Sequence, residues 1–238
     1  MKFKVTTLYI SLLLLTACTV KYNIVSYSES SMDVKSEKDS SAIDIIAPYK
    51  AGIDSVMNEV LCISDVEMLK GRPQSVLGNF VSDLCLQQYN DLADVCVMNT
   101  GGLRSSLPEG PITRGKIFEL MPFENELVIL ELDKNDFLGL LDYIVSRGGE
   151  PFSGLSTVIN ADNQYSSYQI YNVVNFEEGE KLRVLTSDYL ANGGDRMYFF
   201  KDKKQYKVGV RLRDAIINYC TLMDTISSKL DNRIIIVE

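Results

Sequence analysis

The order of hydrophobic periods along the chain predicts an α+β (mixed α/β) fold, a single domain of mixed sheet with flanking helices. Three observations carry it. Apolar residues spaced three and four apart alternate with short continuous apolar runs, the signatures of half-buried helices and buried strands. The 238 residues are 46% hydrophobic and 24% charged, enough apolar material for one good core plus a small appendage. No internal repeat interrupts the order.

The first element is a helix over 47–61, whose stripe is Tyr49, Ile53, Val56, Met57 and Val60, with Pro48 near its start. A second helix over 75–89 places Leu77, Phe80, Val81 and Leu84 on one side. "ADVCVMN", ending at Asn99, is a short buried strand running into a glycine turn. "ELVILEL", 126–132, is another strand, and the helix after it, 135–146, turns Phe137, Leu140, Leu141 and Ile144 inward. Strand-like runs follow at 155–160, 168–174 and 182–187. A last helix, 210–223, presents Leu212, Ile216, Cys220 and Met223, and "RIIIV" closes the chain as a strand.

The N-terminus carries a targeting signal. Lys2 and Lys4 precede "LYISLLLLTAC", an apolar run too short to span a bilayer but with the length and charge of a secretory core. "LTAC" resembles a bacterial lipobox, which implies a signal peptide over 1–17, lipidation of Cys18 and a membrane anchored through that lipid. The Ser-rich, charged stretch 18–42 is a flexible tether. The chain is expected to be exported and lipid-anchored in the cell envelope, in the periplasm or at the outer membrane.

The remaining cysteines, Cys62, Cys85, Cys96 and Cys220, sit in apolar contexts without metal-binding spacing and are expected as buried free thiols. The chain has no histidine. That removes Ser-His-Asp and Cys-His catalysis by its own residues, and imidazole-based metal sites with it. A net charge of −8 argues against binding a nucleic acid polymer or an anionic membrane surface nonspecifically. No P-loop or tight carboxylate cluster is present.

Two glycine turns hold the chemical interest. "MNTGGLRSSLPEGPITRGKIFELMPFENEL" and, 60 residues on, "TSDYLANGGDRMYFF" contain an Asn-x-Gly-Gly-x-Arg turn, a Pro-Phe-x-Asn segment, and an Asn-Gly-Gly-Asp turn with an aromatic three residues before its Asn. In that order the three motifs resemble the C-terminal, substrate-binding domain of the 5′-nucleotidase and UDP-sugar hydrolase family, over roughly 43–238. The resemblance implies a nucleoside or nucleotide ligand. Its base would stack between Phe123 and Tyr189, and its ribose hydroxyls would bond to Asp195, with Gly193 and Gly194 letting the backbone approach the sugar. Arg104 would meet a phosphate-bearing part, Asn99 and Asn125 the base and sugar, and Gly101 and Gly102 would form the first turn. The family's second arginine falls at Gly71, with Arg72 next door as the substitute. Arg196 stands where the family commonly has glycine, adding bulk and charge beside the pocket.

Taken singly, each residue also has a plainer reading: Asp195 as a helix N-cap, Phe123 as a core aromatic, Tyr189 as a half-buried surface ring, the glycines as turn formers. Family members that hydrolyse nucleotides use a separate metallophosphatase domain with two metal ions held by Asp, His and Asn. The resemblance therefore implies a recognition half without cofactors of its own, inactive alone and serving a separately encoded metallophosphatase chain in nucleotide catabolism. Alternatives are a stand-alone nucleoside-binding lipoprotein and a structural envelope protein that has lost its ligand.

Overall fold

The computed structural model describes residues 28–33, 39–173 and 176–237. The expected signal peptide, Cys18 and most of the expected tether lie outside the described residues; of the expected tether, 28–33 are exposed coil. From Ile45 to Glu238 the chain forms one compact unit.

Its centre is a five-stranded mixed sheet in the order β5-β2-β8-β4-β9, where β2 is Val95–Val97, β4 Glu126–Leu132, β5 Phe152–Ser153, β8 Leu182–Ser187 and β9 Gln205–Arg211. β2 runs parallel to β8, while β4 is antiparallel to both β8 and β9. Side chains alternate faces along a strand, and the sequence obeys that rule at each central strand. Leu127, Ile129, Cys96 and Leu185 join one apolar core. Val128, Leu130, Leu132, Val95, Val97 and Val184 join a second on the opposite face.

Helices cover both faces. α2 (Val76–Gln88) and α6 (Leu212–Leu222) pack on the first core, and α4 (Lys134–Ser146) on the second. α2 starts because the Ser75 side chain accepts the Gly78 amide; α4 starts in a reciprocal capping box between Asp133 and Asp136. Two smaller sheets complete the unit: β10-β1-β3 (Thr225–Ile226, Val60–Ser64, Gly110–Thr113) and β11-β6-β7 (Ile234–Ile236, Leu155–Ile159, Tyr165–Ile170). Two short helices, α3 (Arg114–Leu120) and α5 (Asp188–Ala191), lie between strands in chain order.

The first helix departs from expectation. α1 spans Ser40–Met57, so Pro48 lies inside it and Ser40, Ser41 and Ala42 of the expected tether are helical. Val60 belongs not to its stripe but to β1, which with β3, β5, β9, β10 and α3 was not read from the periodicity. No side chain of α1 is buried; Tyr49, Ile53 and Val56 are all exposed. The stripe is periodic, but among the described residues none closes over Tyr49, Ile53 or Val56, and periodicity alone reports the shape of a face rather than its burial. The cysteines Cys62, Cys85, Cys96 and Cys220 are buried and free, and among the described residues no helix is long and apolar enough to cross a membrane.

Leu130→Ala, at a fully buried position of β4, is expected to cost about 2–5 kcal/mol. Ile53→Ala, on the uncovered face of α1, should stay within about 0.5 kcal/mol of the parent. Urea denaturation of both variants checks the contrast.

Candidate functional site

The strand order brings the three motifs to one edge of the central sheet. Parallel β2 and β8, paired Cys96 to Leu185, end at Val97 and Ser187, and each glycine turn begins just beyond. Antiparallel β4 starts at that same edge, with Leu127 opposite Ser187, so the segment leading into it, Phe123 to Asn125, arrives there too. Space outside the carboxyl ends of parallel strands is the usual place for a ligand crevice in open α/β sheets.

A cleft of about 380 Å³ opens at this edge, lined by Asn99, Gly101, Gly102, Arg104, Phe123, Asn125, Tyr189 and Asp195. Its volume lies within the span of small-molecule sites, and its walls are largely apolar with a few convergent polar groups. A larger hollow, about 480 Å³, beside Lys134, Tyr168 and Phe176 is internally satisfied. There the Lys134 ammonium lies 5.4 and 5.1 Å from the two ring centroids and donates to the Phe176 carbonyl.

Gly193, Gly194 and Arg72 do not line the cleft. Their places have other physical causes. Ser187 caps α5 by accepting the Leu190 amide at 3.3 Å, and Gly193, at φ 88° in the left-handed region, ends that helix two residues beyond Ala191. Gly194 makes room for Tyr189 rather than for a sugar: a β-carbon there would lie 2.5 Å from the Tyr189 carbonyl oxygen and 2.6 Å from its ring. Arg72 is spent within the protein. Its guanidinium donates to the carbonyls of Arg147 and Gly149 and, at 2.7 Å, to Glu150 Oε1. Arg196 is exposed and does not line the cleft either. Its φ of 72° shows that the backbone keeps a geometry congenial to glycine although an arginine occupies it.

Asp195 is the hub. It takes φ 50°, left-handed, a conformation that Asp and Asn tolerate better than most residues. Its Oδ2 accepts from Asn99 Nδ2 at 2.6 Å, joining the two glycine turns. Its Oδ1 accepts from Tyr189 Oη at 2.9 Å, and that bond holds the Tyr189 phenol above the ordinary tyrosine range. Asp195 is therefore not an N-cap: Gly193 occupies that place in the following 3-10 turn.

Neither Phe123 nor Tyr189 is a core aromatic; they are 42% and 44% exposed. Large rings left half bare on a protein whose cores are closed are available for stacking. The Arg104 guanidinium stands 6.0 Å from the Phe123 ring centroid and, among the described residues, is tied only by a 3.4 Å bond to the Gly101 carbonyl, leaving donors for an incoming group.

Three side chains that sequence reasoning missed hold these elements in place. Glu150, 3% exposed, accepts from the Thr100 amide at 2.7 Å and its hydroxyl at 2.8 Å through Oε2, anchoring the first glycine turn to the Arg72 and Arg147 guanidiniums. Arg213, 4% exposed, donates to the carbonyls of Met121 and Phe123, each at 3.4 Å, and to the Glu124 carboxylate, which it holds below the usual carboxylate range. That fixes the segment carrying Phe123. Tyr143 Oη donates to the Asp195 carbonyl at 3.0 Å; burial, with Glu150 nearby, pushes the Tyr143 phenol up to about 12, so it stays a protonated donor. A buried arginine inside the apolar stretch around 212–217 was a visible signal for Arg213. Glu150 and Tyr143 had none, because their partners are 50 and 52 residues away in sequence.

The sequence over 64–202 matches the family described as 5′-nucleotidase, C-terminal domain. An apyrase of Tabanus yao is 27% identical over 68% of this chain and 34% of its own length. A 5′-nucleotidase-related protein of Glossina morsitans morsitans is 23% identical over 91% of this chain and 45% of its own. Among solved structures, the 5′-nucleotidase precursor of Thermus thermophilus shares the fold at a TM-score of 0.73, with 24% identity over 82% of this chain and 43% of that one. The chain thus spans less than half the length of each of these relatives.

Gly194→Ala is expected to push Tyr189 out of its seat and to cost about 1–3 kcal/mol. Urea denaturation measures the cost, and a crystal structure of the variant would show the ring displaced; a parent-like stability with the ring in place would contradict the packing described.

Proposed function

Because the chain belongs to the 5′-nucleotidase C-terminal domain family, we propose that its cleft recognises nucleosides or nucleotides and serves phosphoester hydrolysis carried out by a separate metallophosphatase. One observation carries the reading: a carboxylate held between two glycine turns stands in the same cleft as two half-bare aromatic rings.

Each wall then has a task. Phe123 and Tyr189 sandwich the base, each ring contributing about 1–3 kcal/mol with tolerance for different bases. Asp195 accepts the ribose hydroxyls. Its two oxygens take one protein bond each in the cleft, and an ionised carboxylate has roughly four acceptor positions. Arg104, at the rim, turns its planar fork to a phosphate. Asn99 and Asn125 offer amide donors and acceptors to base and sugar.

The hydrolytic step is assigned elsewhere. Metal ions that clamp the attacking and leaving oxygens of phosphoryl transfer find no matching ligand set here: the chain has no histidine, and among the described residues no cluster of three or more His, Cys, Asp or Glu is placed to hold an ion. The family is usually joined to a metallophosphatase domain, and a partner chain supplying it fits both facts. Lipidation at Cys18, with export to the cell envelope, would put the cleft where extracytoplasmic nucleotides are consumed.

Asp195→Ala is expected to weaken adenosine and AMP binding by about tenfold or more, the size of a lost charge-assisted hydrogen bond, while sparing inorganic phosphate. Calorimetry on the full chain measures both. Mixing the protein with a candidate metallophosphatase should raise phosphate release from AMP above that of the partner alone, and no gain would refute the division of labour.

A further inference from the structure

Asp195 is held at every polar atom it has. Its amide donates to Tyr189 Oη at 3.2 Å, and its carbonyl accepts from Tyr143 Oη at 3.0 Å. Its Oδ1 accepts from Tyr189 Oη at 2.9 Å, and its Oδ2 accepts from Asn99 Nδ2 at 2.6 Å. A tyrosine hydroxyl has one proton to give and lone pairs to receive; this one spends both capacities on a single residue. The ring of Tyr189 faces the cleft, so a phenylalanine would offer the same stacking surface and neither bond.

We infer that Tyr189, beyond stacking, is a positioning residue whose hydroxyl sets the Asp195 carboxylate for a vicinal diol and so makes the cleft select ribonucleosides over 2′-deoxyribonucleosides. The inference rests on the recognition reading above and names the ligand class of that same site.

The physical chain is short. A free aspartate side chain must be immobilised when it grips a ligand, and that ordering subtracts from affinity. Here it is ordered beforehand, one oxygen by Tyr189 and the other by Asn99, with a free lone pair left on each. Two adjacent hydroxyls can use both positions at once; a 2′-deoxy sugar can use one, and gains less from having them aligned. The same hydroxyl fixes the angle of the ring against the carboxylate, so the base clamp and the sugar grip are set by one pair of bonds. The raised Tyr189 phenol, caused first by the bond to Asp195, gives the arrangement a signature that needs no ligand.

The test uses the full chain with Tyr189→Phe and Asp195→Ala. Calorimetry with adenosine and 2′-deoxyadenosine is expected to show Tyr189→Phe lowering adenosine affinity about three- to tenfold, the size of one modest hydrogen bond, and 2′-deoxyadenosine affinity less, so that the ratio between them shrinks. Equal losses for both ligands, or no loss for either, would overturn the inference. Independently, tyrosine labelled with carbon-13 at Cζ, with the Tyr189 resonance assigned by its disappearance in Tyr189→Phe, should titrate lower in Asp195→Ala than in the parent. Identical titration in the two proteins would show that the bond does not exist in solution and would overturn the inference alone. A parent protein that binds neither nucleoside would overturn the recognition reading itself, and this inference with it.

Discussion

The parallel register of β2 against β8, with antiparallel β4 on the far side of β8, is the constraint from which the cleft follows. Two strands that run the same way must both leave the sheet at the same edge, and a third running the opposite way must enter there. The turn after β2, the turn after β8 and the segment before β4 therefore meet, although Asn99 and Asp195 are 96 positions apart. Were β2 and β8 to run in opposite directions, their turns, and with them Asn99 and Asp195, would leave the sheet at opposite edges. The sheet can carry this arrangement because its central strands are buried on both faces, which ties their register to two cores and makes a slip of one residue prohibitive.

Polar contacts then refine what the sheet has brought near. The buried Glu150 satisfies an amide and a hydroxyl of the first turn and is itself neutralised by two arginines, the condition under which a buried carboxylate is tolerable. Arg213 does the same service for the Phe123 segment from the start of α6. Neither side chain lines the cleft. Both form hydrogen bonds with backbone groups that loops would otherwise expose to water or leave unsatisfied, and so fix two of the three segments that wall the cleft.

The cleft itself combines surfaces of opposite character. Its rings are bare enough to accept a flat partner, and its acid is restrained enough to meet hydroxyls without first being ordered. Such preorganisation trades stability for readiness: a left-handed aspartate and exposed aromatic faces are features a purely structural domain has little reason to keep. Arg72, by contrast, spends its guanidinium on Arg147, Gly149 and Glu150 of the scaffold, which leaves the proposed anion contact to Arg104.

Much of this was legible in the amino-acid order. The helices over 75–89 and 135–146 and the strands around 95, 128 and 184 show their period because one or both faces are buried, and burial is what writes periodicity into a sequence. The site was legible as motifs because paired glycines, an isolated acid and flanking aromatics are costly without a reason. The edge strands β5, of two residues, and β9, whose residues are exposed or half-buried, left no comparable mark, since a strand that closes no core needs no regular apolar pattern. The stripe of α1 misled, being periodic without being covered. What the sequence alone determined is the inventory: the periodic apolar elements, the three motifs, and a chain with no imidazole. Only the tertiary structure decided who meets whom. It locked Arg72 to Glu150 and fastened Asp195 to Asn99 and Tyr143, because hydrogen bonds between residues 50 to 100 positions apart are made by the crossing of strands and leave no local trace.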